Sequence, residues 1–245
     1  MFSKKTRLDH LVQLKLPQIS RAQIVSLIEQ GLVTVNGKIV TKPGQQIASN
    51  AQIDCDFQAP RYVSRAGLKL EHALQEFRIN VNGKTVLDAG LSTGGFTDCL
   101  LQHDAKHVDC VDVGSDQLHI NIKNDPPESV YEQTDIRNFK QNCIYDVIVC
   151  DVSFISLVHI IPELPRFSDS KTRIILLIKP QFEVGKEFLN KQGIVTSDQA
   201  VQDCIQKIKN TLHEFGFVEQ GVVLSPVTGG DGNQEFLSSF CAISK

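Results

Sequence analysis

No run in this 245-residue sequence approaches the ~20 consecutive apolar residues that a membrane-spanning helix needs. The first residues, Met1-Phe2-Ser3-Lys4-Lys5, lead into no apolar signal-peptide core, so a cytoplasmic chain is expected. No C-x-x-C is present, and the seven cysteines, at 55, 99, 110, 143, 150, 204 and 241, are odd in number and scattered. That pattern excludes a disulfide scaffold. Several of these thiols fall in apolar, strand-like runs, as expected of buried cysteines in a reducing compartment. Cys99, His103 and His107 recur at intervals of four, but a helix ending near Asp104 leaves His107 on a strand, so no metal site is expected. Neither G-x-G-x-x-G nor G-x-x-x-x-G-K-S/T occurs, which excludes the usual dinucleotide and nucleoside-triphosphate loops.

What is present is ordinary in bulk and uneven in charge. Hydrophobic residues make up 41% and charged residues 22%, as in a soluble globular protein with room for one large domain and a small one. Residues 1–69 hold ten Lys and Arg against four acids, whereas the rest of the chain holds 15 basic and 24 acidic residues. A basic N-terminal module on an acidic body suggests that the module meets a polyanion.

The organising stretch is Thr85–Leu100, TVLDAGLSTGGFTDCL. Thr85-Val86-Leu87 reads as the end of a buried strand, and Phe96-Thr97-Asp98-Cys99-Leu100-Leu101 has helical spacing. Between them Gly90, Ser92, Thr93, Gly94 and Gly95 leave bare backbone beside a helix N-terminus, where a ligand can approach closely. Asp112 closes the next apolar run 18 residues after Gly94, near the ~20-residue offset at which an acid takes ribose hydroxyls in nucleotide-binding α/β folds. Asp88, at the loop's entrance, would repel a pyrophosphate but suits an ammonium. S-adenosylmethionine (SAM) carries an ammonium and a sulfonium and no phosphate, so it fits these residues better than NAD or ATP.

Along the chain, residues 6–16 carry a helical apolar stripe that Pro17 ends. Ser20 is a natural cap for a second helix over Arg21–Gln30, which Gly31 ends. Leu32–Val35 and Lys38–Val40 flank Asn36-Gly37, a strong hairpin signal, and Ala51–Phe57 alternates as a last strand. Ser64 would cap a helix running to about Phe77. Lys69 lies beside that helix's apolar face, where pattern alone favours a lysine that snorkels to solvent over one that points along the sheet edge. Beyond Asp112, strands over Ser129–Thr134, Asp146–Cys150, Arg173–Ile178, Phe217–Leu224 and Glu235–Ile243 alternate with helical segments, among them a loop and helix over Val152–Ile161 and a helix over 198–215. The alternation predicts a doubly wound, mostly parallel α/β sheet. Asp88, Asp112, Asp135, Asp151 and Lys179 all close strands, at the edge where such sheets bind ligands. Asp151 and Lys179, closing neighbouring strands, would form a charge pair, which by itself is equally consistent with a structural ion pair. A lysine acts as a base only once its ammonium is destabilised, as burial, a neighbouring cation such as Lys69, or a sulfonium would do.

The order of elements in residues 1–58, with Ser20-Arg21, Val33-x-Val35-Asn36-Gly37 and Lys42-Pro43-Gly44, resembles the RNA-binding module of a small-subunit ribosomal protein and of pseudouridine synthases. In the rest of the chain six stretches occur in order: Tyr62–Leu70 (YVSRAGLKL), Asp88–Leu100, Val111–Gly114, Asp151–Ser156 (DVSFIS), Lys179–Glu183 (KPQFE) and Gly229–Phe236. Taken together, these motifs resemble the TlyA family, which joins such a module to an FtsJ-like SAM-dependent methyltransferase. The family also carries a haemolysin label. For that role the sequence offers neither an apolar helix nor an amphipathic β-hairpin.

The resemblance implies a seven-stranded Rossmann-like methyltransferase sheet over residues 64–245, an RNA-binding domain over 1–58 and a linker over 59–63. It further implies 2′-O-methylation of ribosomal RNA by a tetrad of Lys69, Asp151, Lys179 and Glu235, with Lys179 as base. SAM would contact Asp88, Gly90, Ser92, Thr93, Gly94, Gly95, Phe96 and Asp112, with Asp135 nearer the adenine. RNA would meet Arg7, Arg21, Lys38, Lys42 and Arg65. Two residues depart from the family pattern: Leu91, where a small residue is expected, and Ala66, where glycine is expected. The rival class is an RNA-binding protein whose methyltransferase domain has lost activity.

Overall fold

A computed structural model describes residues 5–17, 19, 21–55, 61–124, 129–229 and 232–243. The chain divides into two compact units, Met1–Arg65 and Ala66–Lys245. The expected cap Ser20, the end of the last N-terminal strand at 56–57 and the linker residues Ala59-Pro60 lie outside the described residues.

The first unit runs β1 (Lys5–Arg7), α1 (Leu8–Lys15), α2 (Arg21–Glu29), β2 (Val33–Val35), β3 (Lys38–Ile39), β4 (Gln46–Ala48) and β5 (Ile53–Cys55). Asn36 and Gly37 both take positive φ, 51° and 75°, as a two-residue hairpin loop between Val35 and Lys38 requires. β2 sits between β3 and β5, and a separate ribbon pairs β1 with β4. That ribbon was not anticipated: three-residue strands are too short for a period of two to show. Leu8, Val12, Ile24, Leu27, Ile28 and Val33 form the unit's buried core.

The second unit begins with α3 (Arg65–Glu76) and continues through β6 (Thr85–Ala89), α4 (Gly95–Gln102), β7 (His107–Val111), α5 (Ile120–Asn124), β8 (Ser129–Tyr131), β9 (Val147–Cys150), β10 (Arg173–Ile178), α6 (Asp198–Glu214), β11 (Phe217–Leu224) and β12 (Phe236–Ala242). The expected cap on α3 is missing: the Ser64 hydroxyl is buried and makes no hydrogen bond. Ser197 does cap α6, accepting from the Ala200 amide. The stretch after Asp151 forms only 3-10 turns, Leu157–His159 and Ile161–Phe167, rather than an α-helix. Pro162 and Pro165 cannot supply the amides that an α-helix would need there.

Seven strands form one sheet in the order β11-β12-β10-β9-β6-β7-β8. β10, β9, β6, β7 and β8 are parallel, and β12 runs antiparallel between β10 and β11. Val86–Ala89, Val147–Cys150 and Ile174–Ile178 are buried throughout, as central parallel strands covered on both faces must be. From β6 the chain winds outward through β7 and β8, then returns to β9 on β6's other side. The carboxyl ends of β6 and β9 therefore flank the point where the winding reverses, the usual ligand crevice of such sheets. All seven cysteines are free, and burial pushes the Cys150 thiol up to about 12.

Candidate active site

Strand register assembles the site. Ala89 lies opposite both Val111 and Cys150, so Asp112, Gly90 and Asp151 emerge side by side. Ile178 faces Phe236 in the antiparallel pair, which sets Lys179 beside Glu235. Lys179 Nζ is 2.6 Å from Asp151 Oδ1 and donates to Ser153 Oγ at 2.7 Å. Lys69, from α3, reaches Glu235 Oε2 at 2.5 Å. Lys69 is thus no snorkelling lysine: it is 8% exposed and paired across 166 residues of sequence. Glu235, 2% exposed, packs over Gly229, where a Cβ would stand 2.6 Å from Oε1. Two lysines and two carboxylates in a poorly hydrated corner balance each other's charge, which is what allows them to be buried at all.

The glycine loop lies beside this corner. Gly90 has φ +96° and Gly94 φ +90°, conformations that side-chain-bearing residues rarely adopt. Gly94 opens α4, with Gly95, Phe96 and Thr97 buried behind it. Asp112 accepts from the Ser92 amide and the Gly114 amide, both at 2.7 Å, so it fastens the loop as well as facing it. Ser92 and Thr93 are exposed on the loop's outer side. Leu91, the departure from the family pattern, is buried beneath it, and Ala66 is partly buried.

Asp88 is fully buried. Its Oδ2 accepts from Thr97 Oγ1 at 2.6 Å, while Oδ1 is buried with no hydrogen-bond partner. Burial, reinforced by the Asp151 and Asp112 charges, raises its carboxyl to about 7. An unpartnered buried acceptor beside bare glycine backbone, in a crevice lined by acids, fits a cationic, phosphate-free nucleoside such as SAM.

Asp135 stands apart from this group. It comes four residues after β8, caps a 3-10 turn through the Arg137 amide at 2.9 Å, and pairs with the Arg137 guanidinium at 2.6 Å. Those bonds hold its carboxyl below the usual range, and its side chain is already engaged. Its backbone neighbour Thr134, donating to the Asp112 carbonyl at 2.8 Å, ties the segment to the crevice, as does the Gln133 amide on the Gly114 carbonyl at 3.0 Å. Among the described residues no cluster of His, Cys, Asp and Glu is arranged to hold a metal; His103 bonds back to Cys99 and His107 pairs with Asp109.

In the first unit, Arg7 and Arg21 converge on Asp9, which is 2% exposed. Arg7 grips both its oxygens, at 2.9 and 2.8 Å, and Arg21 reaches Oδ2 at 3.2 Å. The Arg7 hydrogen bonds bring the Asp9 carboxyl down to about 2. The two arginines stay half-exposed or more and border a cleft of about 330 Å³ with His10 and Gln13. Lys38 and Lys42 are exposed, and Arg65, the first residue of α3, is partly buried.

The pattern that defines FtsJ-like methyltransferases matches residues 62–241, and that of the S4 domain matches residues 6–53. The 16S/23S rRNA (cytidine-2′-O)-methyltransferase TlyA of Mycobacterium tuberculosis strain H37Rv is 38% identical over 221 residues, 89% of this chain and 82% of that protein. The chain belongs to the TlyA family of FtsJ-like methyltransferases. Hemolysin A of Brachyspira hyodysenteriae is also similar, at 38% identity over 96% of this chain and 99% of that one. A solved hemolysin-named structure from Streptococcus thermophilus superposes with a TM-score of 0.74 at 34% identity, covering all of this chain and 90% of that one. Among TlyA relatives the two kinds of name thus coexist. In this chain no described helix is long and apolar enough to cross a membrane.

Two contacts escaped the sequence reading. Ser153 on Lys179 and Thr97 on Asp88 both sit within motifs quoted above, but nothing in their spacing shows which way a hydroxyl turns.

Proposed function

We propose that this TlyA-family protein transfers a methyl group from SAM to a ribose 2′-hydroxyl of ribosomal RNA in the cytoplasm. The observation that carries the reading is the meeting of Lys69, Asp151, Lys179 and Glu235 at the carboxyl edge of the sheet, beside the Gly90–Gly95 loop. SAM would be held by Asp88 at its ammonium, by the bare backbone of Gly90, Gly94 and Gly95, and by Asp112 at its ribose, with Ser92, Thr93 and Phe96 shaping the loop. When bound it supplies an electrophilic methyl carbon on a sulfonium.

With SAM bound as the methyl donor, Lys179 in its neutral form would take the proton of the 2′-hydroxyl that receives the methyl group. Asp151 holds Nζ in place by their ion pair, and Ser153 gives it a second fixed partner. Lys69 and Glu235, the ion pair set beside Lys179, would orient the ribose. The basic N-terminal unit docks on structured RNA through Arg7, Arg21, Lys38 and Lys42, with Arg65 at the start of α3, as phosphate-binding positions. Asp9 keeps the first two arginines in a fixed fork.

The deciding experiment maps ribose methylation in ribosomal RNA by mass spectrometry, with and without the gene. A ribose methyl that disappears with the gene and returns with the unmutated chain supports the reading. An unchanged methylation map overturns it.

A further inference from the structure

Glu183 is a carboxylate that the tetrad leaves unused. A 3-10 turn over Pro180–Phe182 carries the chain from Lys179 to Glu183, closed by the Phe182 amide on the Lys179 carbonyl and the Glu183 amide on Pro180. Both Glu183 oxygens are taken by the loop that follows β9. Ser156 Oγ donates to Oε2 at 2.5 Å, and the Leu157 amide donates to Oε1 at 2.8 Å. Burial raises this carboxyl, opposed first by the Ser156 and Leu157 hydrogen bonds and then by the charges of Lys207 and His159. A buried carboxyl whose two oxygens both serve a loop 26 and 27 residues away in sequence is placed to fix that loop.

That task is legible in the loop. Its first end is fixed where the Asp151 amide donates to the Ala89 carbonyl at 2.9 Å, and its far end where Ser156 and Leu157 meet Glu183. Between these anchors Phe154 holds φ +64° with 91% of its surface exposed, and Ser153 turns its hydroxyl onto Lys179. An aromatic residue in that backbone region relaxes unless its surroundings over-determine it.

We infer that Glu183 is a positioning residue of the methyl-transfer site. By gripping Ser156 and Leu157 it keeps the arch of residues 152–155 drawn up, so that Asp151 and Ser153 both bear on Lys179 Nζ. The contacts form a closed ring: Lys179, its 3-10 turn, Glu183, Ser156, the arch, and Lys179 again. The inference rests on the reading of Lys179 as the base.

The test compares the full-length chain with Glu183→Ala, Glu183→Gln, Ser156→Ala and the Glu183→Ala/Ser156→Ala pair. It reads kcat, KM for ribosomal RNA, binding of S-adenosylhomocysteine by calorimetry, and amide hydrogen exchange over residues 152–158. Glu183→Ala is expected to lower kcat about tenfold or more while KM and S-adenosylhomocysteine affinity stay within about twofold, with faster exchange in the arch. Glu183→Gln keeps an acceptor for Leu157 and a partner for Ser156, and recovers most of kcat. Adding Ser156→Ala to Glu183→Ala costs little more, because both remove one grip. A kcat within about twofold of normal in Glu183→Ala overturns the assignment. So does a collapse of kcat, ligand binding and melting temperature together in the Ala and Gln variants, which marks a merely structural carboxylate. Absence of methyl transfer in the unmutated chain defeats the base reading and this role with it, and is seen before any variant is compared.

Discussion

Gly90 lies directly against the backbone of Asp151: a Cβ placed on Gly90 would stand 2.6 Å from the Asp151 carbonyl oxygen and 2.8 Å from its carbon. The loop proposed to hold the methyl donor and the acid proposed to hold the base therefore share one backbone contact, at the point where the sheet's winding reverses. A shift of either is passed to the other without an intervening side chain.

Gly90→Ala puts a methyl group into backbone that cannot give way, at a φ of +96° that already strains any side chain. Strain alone costs ~1–3 kcal/mol, and the clash adds to it. The expected result is lost S-adenosylhomocysteine binding by calorimetry and a melting temperature lower by at least about 2–4 °C per kcal/mol. Gly193→Ala, at φ +77° with no atom within 4 Å of the added Cβ, should carry the strain without the clash and leave ligand binding intact.

Lys179→Ala should abolish transfer of tritiated methyl groups to ribosomal RNA, by a factor of ~10²–10⁴ or more, while S-adenosylhomocysteine still binds. The Asp151 side chain left behind is 14% exposed at the rim, so water can reach it and the fold survives. Near-normal transfer by this variant would remove Lys179 from the role of base.

The Asp88 carboxyl, held at about 7 by burial, makes a signed prediction for pH. Its folded value lies above the unfolded one near 3.8, so the folded chain retains a proton that the unfolded chain has released. Stability from this group is therefore greatest below about 4, falls as pH climbs through the window to about 7, and stays low above it. Asp88→Asn should raise the melting temperature of the free chain above pH 7 and change it little below pH 4, in scanning calorimetry. Binding a cationic ligand needs the ionised form, so SAM affinity should strengthen as pH rises through about 7 in the unmutated chain and lose that dependence in Asp88→Asn.

Arg21, with 73% of its side chain exposed, should contribute to RNA binding chiefly by charge. Arg21→Ala is expected to weaken binding to ribosomal RNA similarly across sequences and to reduce the slope of log K against log salt by about one. Filter-binding titrations between low and moderate salt measure both. An unaltered slope would place the RNA elsewhere on the molecule.

Local pattern determined a great deal here. The strand, glycine turn and helix around Gly90–Gly95, the Asn36-Gly37 hairpin and the β-α alternation are written in short-range chemistry: where a Cβ is tolerated, and whether apolar residues recur every second or every third to fourth position. The family motifs named the candidate site residues on top of that, and α3 and α6 came within a residue or two of their expected bounds. Tertiary structure alone decided which of those residues meet. That β12 inserts antiparallel beside β10, bringing Glu235 to Lys179 and giving Lys69 a partner far along the chain, follows from strand register and core packing, which no local period encodes. The same holds for Asp135, whose carboxylate turned to Arg137, and for Glu183, whose two hydrogen bonds join loops that the sequence keeps 26 and 27 residues apart. Side-chain direction at a loop depends on where the partner loop comes to rest, and only the folded sheet settles that.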